Sequence, residues 1–273
     1  MRYRYLLLLI LLMGFFSCKK DTGTITPPPP TPPVPAVLLK DIVIPRLPSP
    51  YYHFEYDPEG KASFVSFASD LTRYNVVYNG NKISEMRNNI IVNKDTLRYS
   101  YDVAGKVTAI KYINEAGVVY TILSFTYDGQ KLIEIERDKK SGTGFIIDKT
   151  MMMTYYPDGN LKDITYHYLP FNGQTEGIFT ISFEQYDTKI NVDGFGLIHN
   201  DFFDHLVLLP GVQLQKNNPG KETLTGNGLT YKVDYTYSYN DRNLPLTKIG
   251  DLVITSGTDT GKHIQTNSTF TYY

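Results

Sequence analysis

The sequence predicts an all-β fold: a long antiparallel meander of repeated hairpins, in a strongly twisted or curled sheet with one short helix inserted. Three observations predict it. First, apolar and polar residues alternate over long stretches. Leu97, Tyr99 and Tyr101 alternate with Arg98 and Ser100; Leu123, Phe125 and Tyr127 with Ser124 and Thr126; Phe179, Ile181 and Phe183 with Thr180, Ser182 and Glu184; and Tyr231, Val233, Tyr235, Tyr237 and Tyr239 with Lys232, Asp234, Thr236, Ser238 and Asn240. Successive side chains of a strand point to opposite faces, so each segment offers one aromatic face and one wet face. Second, turn signals fall between these stretches: Asp57-Pro58-Glu59-Gly60, Asn79-Gly80, Asp102 to Gly105, Asp128-Gly129 and Pro157-Asp158-Gly159. Glycine supplies the positive φ of tight hairpins, and Asp or Asn bonds the turn backbone. Third, the chain holds 23 Tyr, 14 Phe and 21 Gly but no Trp, a strand-forming composition with frequent breaks.

The N-terminal elements differ from the rest. Arg2 and Arg4 precede an apolar run from Leu6 to Phe16, followed by Ser17 and by Cys18, the only cysteine. A basic start, a short apolar stretch and a small residue form an export leader. The segment Phe15-Phe16-Ser17-Cys18 resembles the lipobox of bacterial lipoproteins. That resemblance implies that residues 1–17 are a cleaved signal peptide and that Cys18 is acylated as the mature N-terminus. The membrane is then a partner through the lipid anchor, and two or more acyl chains suffice for stable attachment. Residues 18–36 read as a tether, since seven prolines between 27 and 35 favour an extended polyproline helix. Residues 37–273 read as one β-rich domain. Its first segment, Val37 to Pro50, is expected as an edge strand or extended arm, because Pro45, Pro48 and Pro50 interrupt it. With a lone cysteine, stability must come from packing and backbone pairing.

The hairpins repeat. Tyrosines close the strands at 56, 78, 101, 127, 156, 186 and 239, with gaps of 22 to 30 residues and a last gap of 53. Such a period indicates stacked supersecondary units with one insertion. Tyr99-Ser100-Tyr101-Asp102-Val103-Ala104-Gly105-Lys106-Val107 resembles a YD (RHS-type) repeat. Phe54 to Lys61 is similar, and Phe125 to Leu132 is a shortened version. Behind a lipobox, the pattern is similar to YD-repeat-like lipoproteins of Bacteroidetes-type cell envelopes. That resemblance implies sheet topology and carries no catalytic residues.

Few residues suggest chemistry. With 27 basic and 28 acidic residues, the chain has no electrostatic footprint for nucleic acid. Phe202, Phe203, Leu206, Val207 and Leu209 could stripe a short helix near 201 to 208, stopped by Pro210-Gly211 and capped by Asn200 or Asp201. His199, Asp201, Asp204 and His205 flank it. They could form a metal site or an Asp-oriented base, or simply cap the helix and offset its dipole. Asp187, Asn191, Asp193 and Gly194 suggest an oxygen-rich loop, yet Lys189, Val192 and Ile198 break the EF-hand pattern. Glu134 and Glu136 share a strand face opposite Ile133 and Ile135, as on a solvated sheet. Asp95-Thr96-Leu97 is similar to an O-glycosylation acceptor of exported proteins. The sequence assigns no catalytic residue, metal or cofactor. It reads as an outer-membrane lipoprotein facing the periplasm or the medium, a non-enzymatic binding or structural module with an envelope protein or glycan as ligand. The alternative is an envelope hydrolase with its site near His199 to His205, which would require a concave polar pocket there.

Overall fold

The computed structural model describes residues 37–89, 94–199 and 205–273. The leader, Cys18, the proline tether, Asp201 and Asp204 lie outside the described residues.

Sixteen strands follow one another: β1 Leu39–Val43, β2 Tyr52–Tyr56, β3 Ala62–Phe67, β4 Thr72–Asn79, β5 Lys82–Asn88, β6 Thr96–Tyr101, β7 Val107–Ile113, β8 Val119–Asp128, β9 Lys131–Ser141, β10 Gly144–Tyr155, β11 Leu161–Tyr168, β12 Gly177–Glu184, β13 Lys221–Gly226, β14 Leu229–Tyr239, β15 Pro245–Ser256 and β16 His263–Tyr272. Each is antiparallel to the next, and β1 pairs with both β2 and β16, so the sheet closes into a barrel. The all-β meander is as expected, but the open, curled sheet is not. Closure satisfies both edges at once, which curling alone cannot do. The edge-strand reading of Val37 to Pro50 is likewise corrected. Leu39 and Ile42 are buried within β1, and the three prolines lie beyond it, in the connection to β2.

The two faces of the wall differ in polarity. Val65, Tyr74, Met86, Leu97, Ile110, Leu123, Ile135, Met151 and Ile164 point inward and are fully buried. Outward positions carry charges and hydroxyls in register: Glu85, Arg98 and Lys111 lie side by side, as do Ser124, Glu136 and Thr150, and Thr165, Thr180 and Thr225. Many are paired on the surface, with Arg87 and Arg98 on Glu85, and Thr154 and Ser182 on Asp163. Single exposed apolar residues such as Met152 and Ile249 are scattered among them. A membrane-spanning barrel has the reverse distribution, an apolar band outside and a polar interior.

Barrels of this strand number leave a wide lumen. Here the described parts of the connection from β12 to β13, residues 185–199 and 205–220, occupy it. Both ends of this plug leave the same rim, since Glu184 and Lys221 are partners across β12 and β13. Ile198, Leu206, Val207 and Leu214 join one core with the inward strand residues. No α-helix occurs among the described residues; a 3-10 turn spans Gly194–Leu197, and residues 205–209 are irregular. The helix expected near 201 to 208 is therefore not formed over its described part. A segment enclosed by a barrel is apolar because walls surround it, so its apolar spacing marks enclosure rather than one helix face.

The tyrosine repeat has a structural cause. A register shift falls at Tyr56, Tyr78, Tyr101, Tyr127, Tyr155 and Tyr239, each just before a hairpin turn. The hydroxyls of Tyr56, Tyr78, Tyr101 and Tyr155 donate to the carbonyls of Leu39, Ala62, Ile83 and Leu132, the entry of the neighbouring strand. Lys61, Lys82, Lys106 and Lys131 lie over Tyr78, Tyr101, Tyr127 and Tyr155, at 5.0–5.6 Å from the ring centres. Asp57 and Asp102 accept from the backbone of Lys61 and Lys106 across their turns. The repeat thus marks the hairpin turns of one rim.

Candidate functional site

Inward tyrosines hold the plug. Tyr52 on β2 places its hydroxyl 2.8 Å from His199 Nδ1, and Phe67 packs on the same imidazole at 4.3 Å. Tyr99 donates to the carbonyl of Leu208 at 3.0 Å, and Tyr166 to that of Leu197 at 3.1 Å. Tyr74 meets His205 Nδ1 in a short hydrogen bond. On the other side of that ring, Nε2 lies 3.0 Å from the Tyr120 hydroxyl, which donates to Asp95. Because Tyr120 gives its proton to Asp95, its oxygen accepts from His205 Nε2–H. Nδ1 is then the acceptor from Tyr74. Burial, with a smaller contribution from His205, lowers the pKa of His199 to about 4, so this imidazole is neutral near pH 7.

The structure therefore brings His199 and His205 into the lumen but binds His199 to Tyr52 and His205 to Tyr74 and Tyr120. Both are buried, and neither lines the cavity described below. Among the described residues, Asp95 is the carboxylate near His205, at 3.5 Å. With Leu97 fully buried and Asp95 taken up in this chain, only Thr96 of the proposed glycosylation tripeptide faces outward. Elsewhere on the wall, Arg137 and Asp148 form a buried pair through Nε at 2.8 Å and a second, shorter bond from a terminal nitrogen. Glu134 and Glu136 point outward on β9; burial and the charges of Glu134 and Asp138 raise the pKa of Glu136. The oxygen-rich loop is internally satisfied. Asp187 accepts from the backbone of Lys189 and Asn218 and from Tyr239, and Asn191 bonds Asp193 and Gly194. Among the described residues, no group of three His, Cys, Asp or Glu is placed to hold a metal ion.

One cavity lies between the plug and the wall formed by β12, β13, β15, β16, β1 and β2. It measures about 200 Å³, and its lining combines the apolar Ile42, Ile44, Phe183 and Leu197 with Asp193, Glu222, Lys248 and Ser268. Lys248 Nζ is 3.1 Å from Asp193 and 4.5 Å from the centre of the Tyr235 ring. Tyr231 and Tyr235 donate to the two oxygens of Glu222, at 3.0 and 2.9 Å. Burial, reinforced by Glu222, raises the pKa of both phenols well above its usual value, which keeps them as donors. Gly250 makes this arrangement possible. A Cβ there would stand 2.3 Å from Thr266 Oγ1 and 2.7 Å from the Tyr235 ring. Sequence reading missed Glu222 and Lys248. Their signal was a charge on the inward parity of an otherwise apolar and aromatic alternation, as Glu222 shares a face with Leu224 and Lys248 with Gly250 and Leu252.

No protein-family model and no curated protein matches the sequence. Solved structures do. A porin-like protein from Bacteroides vulgatus superposes with a TM-score of 0.56 at 15% identity, covering 87% of this chain and 99% of that one. A porin-like protein from Bacteroides uniformis also gives 0.56, at 11% identity, covering 81% and 89%. At these identities the likeness is one of fold. It overturns the resemblance to YD-repeat lipoproteins: the repeated hairpins are the staves of a closed sixteen-stranded barrel, and the Tyr-Asp-Gly-Lys spacing follows from its rim.

Proposed function

We propose that this chain is a non-enzymatic envelope protein, a barrel that stands in water on a lipid-anchored proline tether and holds a ligand in its lumen. The observation that carries this reading is the polarity of the wall. Placing an outward Lys or Arg at the middle of a bilayer costs about 2–4 kcal/mol, and Arg98 and Lys111 lie side by side on that face with Glu85 beside them. A plugged lumen likewise suits retention better than conduction. The lipobox-like segment and Cys18 support the anchor, and the two porin-like neighbours support a place at the outer membrane. Cells labelled with a palmitate analogue test this directly. The wild-type chain is expected to carry label and to sediment with outer membranes, and Cys18→Ala to lose both. In planar bilayers the purified chain is expected to give no channel steps. Stable conductance would overturn the water-standing barrel, and an unlabelled Cys18 would remove the anchor.

A further inference from the structure

We infer that the cavity beside β12, β13, β15, β16, β1 and β2 binds a small organic ammonium ion, its charge on Glu222 and its apolar body against Ile42, Ile44, Phe183 and Leu197. The inference rests on the proposal that the barrel holds a ligand, and it names the ligand's chemical class. Three features of the cavity lead to it.

The first is charge. Asp193 and Lys248 neutralise each other at 3.1 Å. Glu222 has two phenol donors and, among the described residues, no Lys, Arg or His nitrogen within 4.0 Å. A carboxylate withdrawn from water is stabilised by a hydrogen-bonded cation far more than by neutral donors, and each Glu222 oxygen keeps acceptor capacity beyond its one tyrosine. The second is the apolar lining. Ile42, Ile44, Phe183 and Leu197 line the same cavity, Phe183 as the cross-strand neighbour of Glu222. A hard inorganic cation needs six or more oxygen ligands and would lose part of its shell there, whereas an alkyl group gains by burial. An anionic ligand would find the ammonium of Lys248 already engaged. The third is size. At about 200 Å³ the space is smaller than a drug-sized pocket and suits an amine of a few carbons.

The test titrates the purified full-length chain with n-butylammonium, using n-butanol and sodium at matched ionic strength as controls, read by calorimetry and thermal unfolding. Saturable binding of n-butylammonium alone is expected, weakened at least about tenfold by Glu222→Gln, the loss of one charge-assisted hydrogen bond. Ile44→Phe, which keeps Glu222 and narrows the cavity, is expected to lose n-butylammonium and retain methylammonium. That variant decides the matter even if Glu222→Gln does not fold. Equal binding of the alcohol, binding of sodium, amine affinity unchanged by Glu222→Gln, or no binding of any alkylammonium from methyl to hexyl would each overturn the inference. Membrane attachment and conductance are read without ligand, so a failed titration removes the ligand class and leaves the tethered barrel standing.

Discussion

The wall from β3 to β11 and the wall from β13 to β16 obey the same alternation and reach different ends. On the first, inward residues such as Leu97, Ile110, Leu123 and Ile135 are fully buried against the plug. On the second, the inward face carries Glu222, Tyr231, Tyr235, Lys248, Thr266 and Ser268, and a cavity persists beside the plug. Space persists beside the plug on both walls, but on the first it is lined by Phe54, Ala62, Tyr78, Ile83, Leu208 and Leu209, and on the second charged and hydroxyl groups join the lining. Period-two patterning builds the barrel, but the chemistry of the inward set decides whether its interior is core or site.

The contrast is easiest to break with truncations. Leu97→Ala, on the packed wall, is expected to cost about 2–5 kcal/mol, since a closed core cannot collapse onto the void. Equilibrium denaturation measures this, and a loss under 1 kcal/mol would mean that the first wall is also loose. The plug's own histidine sharpens the comparison next. His199 titrates near 4 when folded, against an ordinary value of 6.5. Between those values the unfolded chain binds a proton that the folded chain refuses. Its contribution is complete above about pH 6.5 and is lost as pH falls toward 4, by about 3 kcal/mol in all. Thermal midpoints of His199→Gln should therefore fall less steeply than those of the wild type across that window; parallel curves would show that His199 is not the group responsible. The smallest effect is expected on the polar wall. Ser268→Val replaces the hydroxyl with a methyl group and adds a second one beside open space, and should shift stability by no more than about 0.5 kcal/mol. A loss of several kcal/mol would show that the cavity is filled and ordered by its own polar groups.

Much of the wall was legible in the sequence. Tyr99, Phe125, Phe183 and Tyr235 all sit on the inward parity that their alternation implies, because side-chain direction in a strand is a local property. Closure was not legible. The pairing of Leu39 with Tyr272 joins residues at opposite ends of the chain, and nothing in either strand counts how many hairpins lie between. The plug was misread for a related reason. Leu206 and Val207 are apolar because the wall surrounds them, and enclosure leaves no period to detect. The tyrosine ends of the strands are legible, but their regular spacing suggests a repeat family when it reflects a register shift repeated before successive turns of one rim. Of the candidate site, the sequence offers His199 and His205 but not their partners Tyr52, Tyr74 and Tyr120, since each lies 85 or more residues away.

The seam between β1 and β16 has a consequence for how this molecule comes into being. A chain emerging from its N-terminus offers β1 long before its second partner exists, so every intermediate up to the last dozen residues exposes a strand edge. A version lacking β16 would present two unsatisfied edges, β1 and β15, to any neighbouring copy, which is the geometry of edge-to-edge aggregation. Loss of the last ten residues should be far more harmful to solubility than their small share of the core would suggest.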